Sequence, residues 1–387
     1  MINVLLRLKR FCGYAVGLVF FISGLLKLMD PVGAGLVMKE YFKFLHVGFL
    51  SGASTAFGIT FAFAETVIGA ALITGVWKKA VAPVSIILQG FFTLLTLALV
   101  IFKPEMDCGC FGEAIHLTHS QTFIKNIILL GLLLIYYIPA KLLNKPKPKK
   151  YVSFGLVTIS TAAFALYSLL YIPMADFTAL KAGVEINRDA HTASGTYDAV
   201  FVYSKDGVLQ TFSLENLPDS TWTFVKTEMS AQHEKVKTPS SISIYDESGQ
   251  YADSLLTSGK VLVTSAYDEL SDKDTARISA FLLRAAEAGF TPILLTSSDK
   301  IEVPEGITRY FCDYKTLITL NRSNGGATYI DEGIIIRKWA KRNLPDREDL
   351  TDLSGTDATE SYIERDSKTS LAFQGFLLYV FAVMLLL

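Results

Sequence analysis

The sequence predicts an α-helical membrane bundle carrying one soluble α/β domain on its extracytoplasmic side. Three observations point there. Six apolar stretches, at about 12–29, 56–76, 80–102, 121–139, 151–172 and 369–387, approach or exceed the roughly 18 to 20 residues that cross a bilayer. A polar region of ordinary globular composition, 173–366, separates the last two. Basic residues in the short loops also fall mostly on one side of the expected membrane.

The whole composition agrees. Hydrophobic residues make up 51% of the 387-residue chain and the mean hydropathy is +0.37, high for a soluble protein. The 36 Lys and Arg balance 37 Asp and Glu, for a net charge of −1. Such a balance leaves no electrostatic footprint for a nucleic-acid partner.

The first segment follows Arg7, Lys9 and Arg10 and ends in Ser23-Gly24-Leu25-Leu26-Lys27-Leu28-Met29-Asp30-Pro31. A leader of this kind resembles a signal peptide, but no small-x-small cleavage site follows, so a retained helix is expected. Pro31 favours a helix end just before it. Residues 32–55 mix Tyr41, Phe42, Phe44 and Phe49 with Lys39, Glu40 and Lys43, the pattern of an amphipathic segment on the outer surface. Segment two contains Glu65, and an acid within an apolar span is costly and marks function by default. Lys27 is its expected partner; the competing reading is a purely structural pair that sets helix packing. Gly69 and Gly75 are expected to allow close helix approach. Segment three carries Gln89 and several threonines. In segment four Ser120 is the expected cap, and Asn126 is expected to reach the loop before it. Lys145-Pro146-Lys147-Pro148-Lys149-Lys150 closes a basic linker, 141–150, that bounds the four-helix part, 1–140.

Orientation follows from the charges. Arg7, Lys9, Arg10, Lys78, Lys79, Lys141, Lys145, Lys147, Lys149 and Lys150 share one side, ten against the four of Lys39, Lys43, Lys103 and Lys125. The expectation is a cytoplasmic N-terminus in a bacterial inner membrane, with residues 173–366 in the periplasm. Five crossings before that region place it on the side of the 103–118 loop.

That loop holds the motif with the sharpest chemistry, Asp107-Cys108-Gly109-Cys110-Phe111-Gly112. A disulfide between residues i and i+2 closes a small strained ring, the labile and easily reduced kind, and Gly109 is the residue best able to bend through it. The competing reading is two unpaired thiols in a tight turn. Of the remaining cysteines in a chain of four, Cys12 opens the first segment and Cys312 lies far downstream, so neither supplies a framework. The periplasm is a compartment where disulfides persist.

These residues carry a resemblance. Segments one to four, residues 10–140, resemble the DoxX-like superfamily of four-helix membrane proteins, and most closely its MauE (methylamine utilisation) branch. The matching features are Gly24 to Pro31, Glu65 followed by Gly69 and Gly75, the Asp107 to Gly112 motif, and the helix start at Lys125-Asn126. The resemblance implies a role in periplasmic thiol–disulfide chemistry, linked in that branch to maturation of a disulfide-rich enzyme. It makes Cys108 and Cys110 the site, with Gly109, Phe111, Gly112, Asn126, Lys27, Asp30 and Glu65 in support. Nothing in the chain indicates methylamine itself as a substrate.

The soluble half opens with a connector, Pro173 to Ile186. Alternating runs at 199–203 and 209–212 around Lys205-Asp206-Gly207 read as a hairpin, with further strands at 222–227 and 242–245. Then come a buried-type strand at 260–264, a helix at 272–288 with Ile278, Phe281, Leu282 and Ala285 on one face, a strand at 291–296, a helix at 314–321, and a hairpin around Asp331-Glu332-Gly333. From about 255 to 345 this order resembles thioredoxin-like domains. The place of the Cys-x-x-Cys reads Ser265-Ala266-Tyr267-Asp268, and Gly325 or Gly326 stands where a cis-proline is usual. Without thiolates such a domain performs no exchange, and Cys312 is expected to be a packed, inert residue ending a strand.

Three function classes emerge. Cys108 and Cys110 cycle between dithiol and disulfide, with the soluble domain docking a periplasmic client or a thioredoxin-like partner, and with a quinone as a plausible acceptor for which no residue identifies a site. Alternatively, the chain is a non-catalytic membrane scaffold or sensor. As a third class, Cys108, Cys110, His116 and His119 bind zinc or copper.

Overall fold

The computed structural model describes residues 2–138, 146–186, 199–205, 208–212, 218–219, 221–229, 241–298, 301 and 307–386. The hairpin turn at 206–207 and residues 141–145 of the basic linker lie outside them. Among the described residues, six helices are long and apolar enough to cross a bilayer, and the chain is a multi-pass membrane protein.

Four helices form the bundle: α1 (Ile2–Met29), α3 (Ser54–Thr74), α4 (Lys78–Phe102) and α5 (His119–Tyr137), with α2 (Pro31–Phe44) inserted after the first. Helices α1 and α3 pack closely because glycines line the seam. A Cβ on Gly69 would sit 2.5 Å from the Phe21 nitrogen, and one on Gly24 would sit 2.2 Å from Thr66 Oγ1. Gly75 plays a different part from the one expected: it ends α3 in the left-handed conformation, φ +73°, where a residue without Cβ is favoured. Helix α5 is capped by Thr118, not Ser120, through a capping box with Gln121.

Two further membrane helices, α6 (Pro148–Leu170) and the C-terminal α10 (Ala358–Leu386), pair with each other. Phe164 stacks on Phe376, and Ser153 Oγ donates to the Val383 carbonyl at 2.7 Å. Helix α10 begins well before residue 369. Its polar first turns continue away from the apolar stretch, with a Glu364–Lys368 pair at i,i+4.

Between α6 and α10 lies the α/β region. Strands β2 (Ala199–Lys205), β3 (Val208–Phe212) and β4 (Thr223–Met229) form a small antiparallel sheet. The larger sheet contains β5 (Lys260–Ala266), β6 (Thr291–Thr296), β7 (Thr308–Phe311), β8 (Gly326–Asp331) and β9 (Ile334–Trp339). It is mixed, in the order β7-β6-β5-β8-β9; β5, β6 and β7 run parallel and the β8–β9 hairpin antiparallel. Helix α7 (Asp272–Glu287) follows β5, α8 (Tyr314–Leu320) follows β7, and α9 (Arg347–Gly355) follows β9. The expected strand at 242–245 is instead irregular chain, tied by single bridges from Tyr245 to Tyr251 and Phe311.

The sheet has a core on each face. One holds Val261, Val263, Ile293 and Leu295; the other holds Leu262, Leu294 and Tyr329 with the four α7 residues that the periodicity picked out. Val32 and Leu36 of α2 pack against the first of these cores. The amphipathic segment therefore does not lie bare on the membrane surface. Its apolar residues are shared between the bundle and the soluble domain, and that sharing fixes the domain directly over the bundle.

Candidate functional site

The cysteine motif forms a short hairpin-like strand, β1 (Cys110–Glu113), seated among the bundle helices. Gly109 and Gly112 both adopt φ +59°, and the Gly112 N–H closes the turn onto the Gly109 carbonyl at 3.2 Å. A Cβ at Gly109 would fall 2.3 Å from Val37 Cγ1 on α2. Glycine here answers two demands at once, a left-handed backbone and a close approach.

Three hydroxyls from three helices hold the motif. Ser23 Oγ on α1 donates to the Cys110 carbonyl at 2.5 Å, and Tyr41 on α2 donates to the Cys108 carbonyl at 2.7 Å. On α5, Thr122 Oγ1 donates to Cys108 Sγ at 3.1 Å, while that thiol lies 2.8 Å from the Leu117 carbonyl. The Lys125 ammonium stands 4.7 Å over the Phe111 ring. Asn126, expected to hold the loop, does something else. One turn deeper than Thr122, it faces α4, where its Nδ2 bonds Thr96 and the Phe92 carbonyl while its own carbonyl accepts from Gln89.

The two thiols, both free in this structure, have different surroundings. Cys108 is buried, 4% exposed, whereas Cys110 is partly open. Burial pushes the Cys108 thiol above its ordinary value against the opposing hydrogen bond from Thr122. Its S–H also points at a carbonyl acceptor, an arrangement that favours the protonated form.

Beneath the hairpin, a cavity of about 250 Å³ opens between α1, α2, α3, α4 and α5. Cys108, Gly109 and Cys110 form part of its wall. In the same cavity, Lys27 Nζ lies 2.6 Å from Glu65 Oε2 and 3.2 Å from Ser23 Oγ. The expected intramembrane pair is thus made, and it sits one residue contact from the cysteine backbone through Ser23.

The soluble domain reaches the same place. Arg322, at the start of the loop before β8, bonds Asp30 Oδ2 at 2.9 Å and Glu113 Oε1 at 3.2 Å. Asp30 also caps α2 by accepting from the Gly33 N–H. The soluble domain and the cysteine hairpin therefore share one side of the bundle. Arg322 belongs to the corner where the loop after β5 meets the loop before β8: Asn324 Oδ1 accepts from the Tyr267 N–H at 2.9 Å, and Tyr267 donates its hydroxyl to the Arg322 carbonyl. The Ser265 to Asp268 segment lies in this corner and carries no thiol. Cys312 directly follows β7, is buried, and has its thiol pushed up to about 12, chiefly by burial.

The donors of the Cys/His alternative stand apart. His116 faces Asp107 at 3.5 Å and is exposed, while His119 Nε2 lies 2.9 Å from the Met106 carbonyl. Among the described residues, no three His, Cys, Asp or Glu side chains converge on one point.

Ser23, Tyr41, Thr122, Glu113 and Arg322 were not singled out by the sequence. Ser23 had a signal, four residues from Lys27 and so on the same helix face. Arg322, nearly three hundred residues from Asp30 in sequence, had none.

Together these parts make a multi-pass membrane protein whose helical bundle holds a cavity walled in part by Cys108 and Cys110, with an α/β domain packed against it. Residues 5–139 match the family model of methylamine utilisation protein MauE, which covers the bundle through α5. Residues 197–231, spanning the small antiparallel sheet, match a domain of unknown function (DUF8463). No curated protein and no solved structure matches the chain.

Proposed function

We propose that this protein carries out thiol–disulfide exchange at the periplasmic face of a bacterial inner membrane, with Cys108 and Cys110 as the reacting pair. The observation that carries the reading is the unequal seating of the two thiols in a hairpin braced by Ser23, Tyr41 and Thr122. In the oxidising direction, a client thiolate attacks Cys110 Sγ of the Cys108–Cys110 disulfide. The S–S bond breaks, a client–Cys110 bond forms, and Cys108 leaves as a thiolate. Thr122 donates to that departing sulfur, which then takes up a proton. A second client thiolate attacks the client sulfur of the mixed disulfide, so the client leaves oxidised and the protein leaves as the dithiol. Cys110 is the entry point because it is the more accessible of the two; burial disfavours a resting thiolate at Cys108.

The bias of basic residues supports a cytoplasmic N-terminus. The sheet order and the helix–hairpin succession support a thioredoxin-related origin for the α/β domain. With no thiol in the Ser265 to Asp268 corner, its role is to cover the hairpin and present the client.

Differential alkylation in intact cells, with and without reductant, tests the pair. Given the client in its disulfide form, Cys108→Ser should accumulate a reductant-sensitive mixed disulfide, because the Cys110 thiolate opens the client S–S bond and releases one client thiolate; Cys110→Ser should not. If the Cys108→Ser/Cys110→Ser protein leaves client thiol status normal, the chain is a scaffold and the exchange reading is wrong.

A further inference from the structure

We infer that the cavity beneath the cysteine hairpin is a binding site for the ring of an isoprenoid quinone, the acceptor of the electrons that Cys108 and Cys110 remove from a client. The inference rests on the exchange reading above and adds the substrate of its second half-reaction.

The cavity has two unlike ends. Phe57, Phe91 and Leu45 line it and are also substantially exposed on the bundle surface, so an opening faces the lipid. An apolar occupant enters sideways from the bilayer, past rings suited to stacking on a planar ring. The other end of the lining, away from the exposed rings, is the little-exposed pair Lys27 and Glu65, with the Lys27 ammonium 5.8 Å from the Phe92 ring centre. A lipid acyl chain matches the mouth but has nothing to offer an ammonium and a carboxylate. A small charged solute matches those groups but not the apolar wall or the lipid-facing entrance. A prenylated ring with carbonyl oxygens matches both.

The cysteines stand in the same wall, so donor and acceptor share one chamber. Electrons and atoms balance. The S–H bonds of Cys108 and Cys110 break, one S–S bond forms, and two electrons pass to the quinone. Two protons finish on its two oxygens, giving the quinol. Lys27 is the cation placed to receive an oxygen as negative charge grows on it, and the thiol protons make good any proton it gives up. Glu65 holds Lys27 charged and in place. A buried ion pair is otherwise a weak source of stability, and a role in the half-reaction accounts for its position in the cavity. No partner protein is needed for reoxidation, since the acceptor diffuses in the membrane.

The test uses the full chain in lipid nanodiscs and decylubiquinone as the probe. Reduced protein should convert one decylubiquinone per chain to its quinol while the Cys108–Cys110 pair becomes resistant to alkylation. The Cys108→Ser/Cys110→Ser protein should bind decylubiquinone saturably but reduce none. Lys27→Gln/Glu65→Gln should weaken that binding by about tenfold, the scale of losing hydrogen bonds to a charged group, and Cys312→Ser should not change it. If oleate competes as well as decylubiquinone, the cavity is an acyl-chain groove and the inference is overturned. Absence of saturable binding to the folded double-serine protein overturns it too, whatever becomes of the Lys27 and Glu65 variants. Exchange with a client but no quinone binding refutes this inference alone. Quinone binding with normal client thiols in the double-serine cells refutes the exchange reading and, with it, the acceptor role, while the binding site itself stands.

Discussion

Gly109→Ala isolates what holds the cysteine hairpin shut. The left-handed φ of +59° costs an alanine about 1–2 kcal/mol. The new Cβ would also fall 2.3 Å from Val37 Cγ1, and overpacking of this kind costs about 1–3 kcal/mol. Together the hairpin should lose about 2–5 kcal/mol of local stability. The readout is alkylation of Cys108, a thiol 4% exposed that reacts only when the hairpin opens. A loss at the lower bound corresponds to labelling about thirtyfold faster, since about 1.4 kcal/mol is a factor of ten. Val37→Ala in the same protein removes the two nearest atoms, leaving Val37 Cβ at 3.1 Å, and leaves the backbone cost. The double variant should therefore label more slowly than Gly109→Ala, by the portion due to overpacking. If Val37→Ala gives no rescue, the contact is not what makes glycine necessary, and the seating of the motif on α2 is wrong.

Other perturbations have definite signs. Glu65→Leu should reduce folded protein in the membrane more than Lys27→Leu/Glu65→Leu, because a lone buried charge costs about 3–5 kcal/mol; quantitative immunoblotting of membrane fractions decides, and additive losses would remove the pair. Arg322→Ala frees both Asp30 and Glu113 and should raise the alkylation rate of Cys110 and the protease sensitivity of the connector, while Arg322→Lys restores only part because a lysine lacks the fork. The fully buried Lys338 meets Asp176 at 2.7 Å. Burial would raise the Asp176 carboxyl, but Lys338 outweighs it and holds it below its usual range, while burial lowers the Lys338 ammonium more than Asp176 lifts it. A depressed carboxyl stabilises above its unfolded pKa, about 3.9, and that stability is lost as pH falls through the folded value. The melting difference between wild type and Asp176→Asn should then be constant from pH 7 to 5 and shrink below pH 4; a difference that grows on acidification would reverse the assignment.

Much of this architecture is readable from one-dimensional patterns. Apolar run lengths locate the crossing helices, and the α7 periodicity of Ile278, Phe281, Leu282 and Ala285 names the residues that meet the sheet. The Lys27–Glu65 pair follows from the cost of a lone charge in hydrocarbon. What escaped depends on single helical turns or on distant chain. Thr122 and Asn126 are one turn apart, and which of them faces the loop is settled by how α5 rotates against α4. Ser120 and Thr118 are both good caps, and only the reciprocal Gln121 bond selects Thr118. The 242–245 run looks like a strand because Ile242 and Ile244 alternate inward, yet its bridges among the described residues are single ones, from Tyr245 to Tyr251 and Phe311, and not a ladder. Arg322 is a surface-type residue whose partners lie in another part of the fold, and no local pattern marks it.

The α/β domain is inserted between two membrane helices that pack on each other, α6 before it and α10 after it. A domain on one stalk can swing away once its contacts break; a domain leashed at both ends explores a small volume. Its effective concentration over the bundle is of the order of millimolar or above even when Arg322 lets go. Detachment then costs only the local bonds, and recapture is an intramolecular event independent of protein abundance. The cover over the cysteine hairpin can therefore be weak, and so open often, without ever being lost.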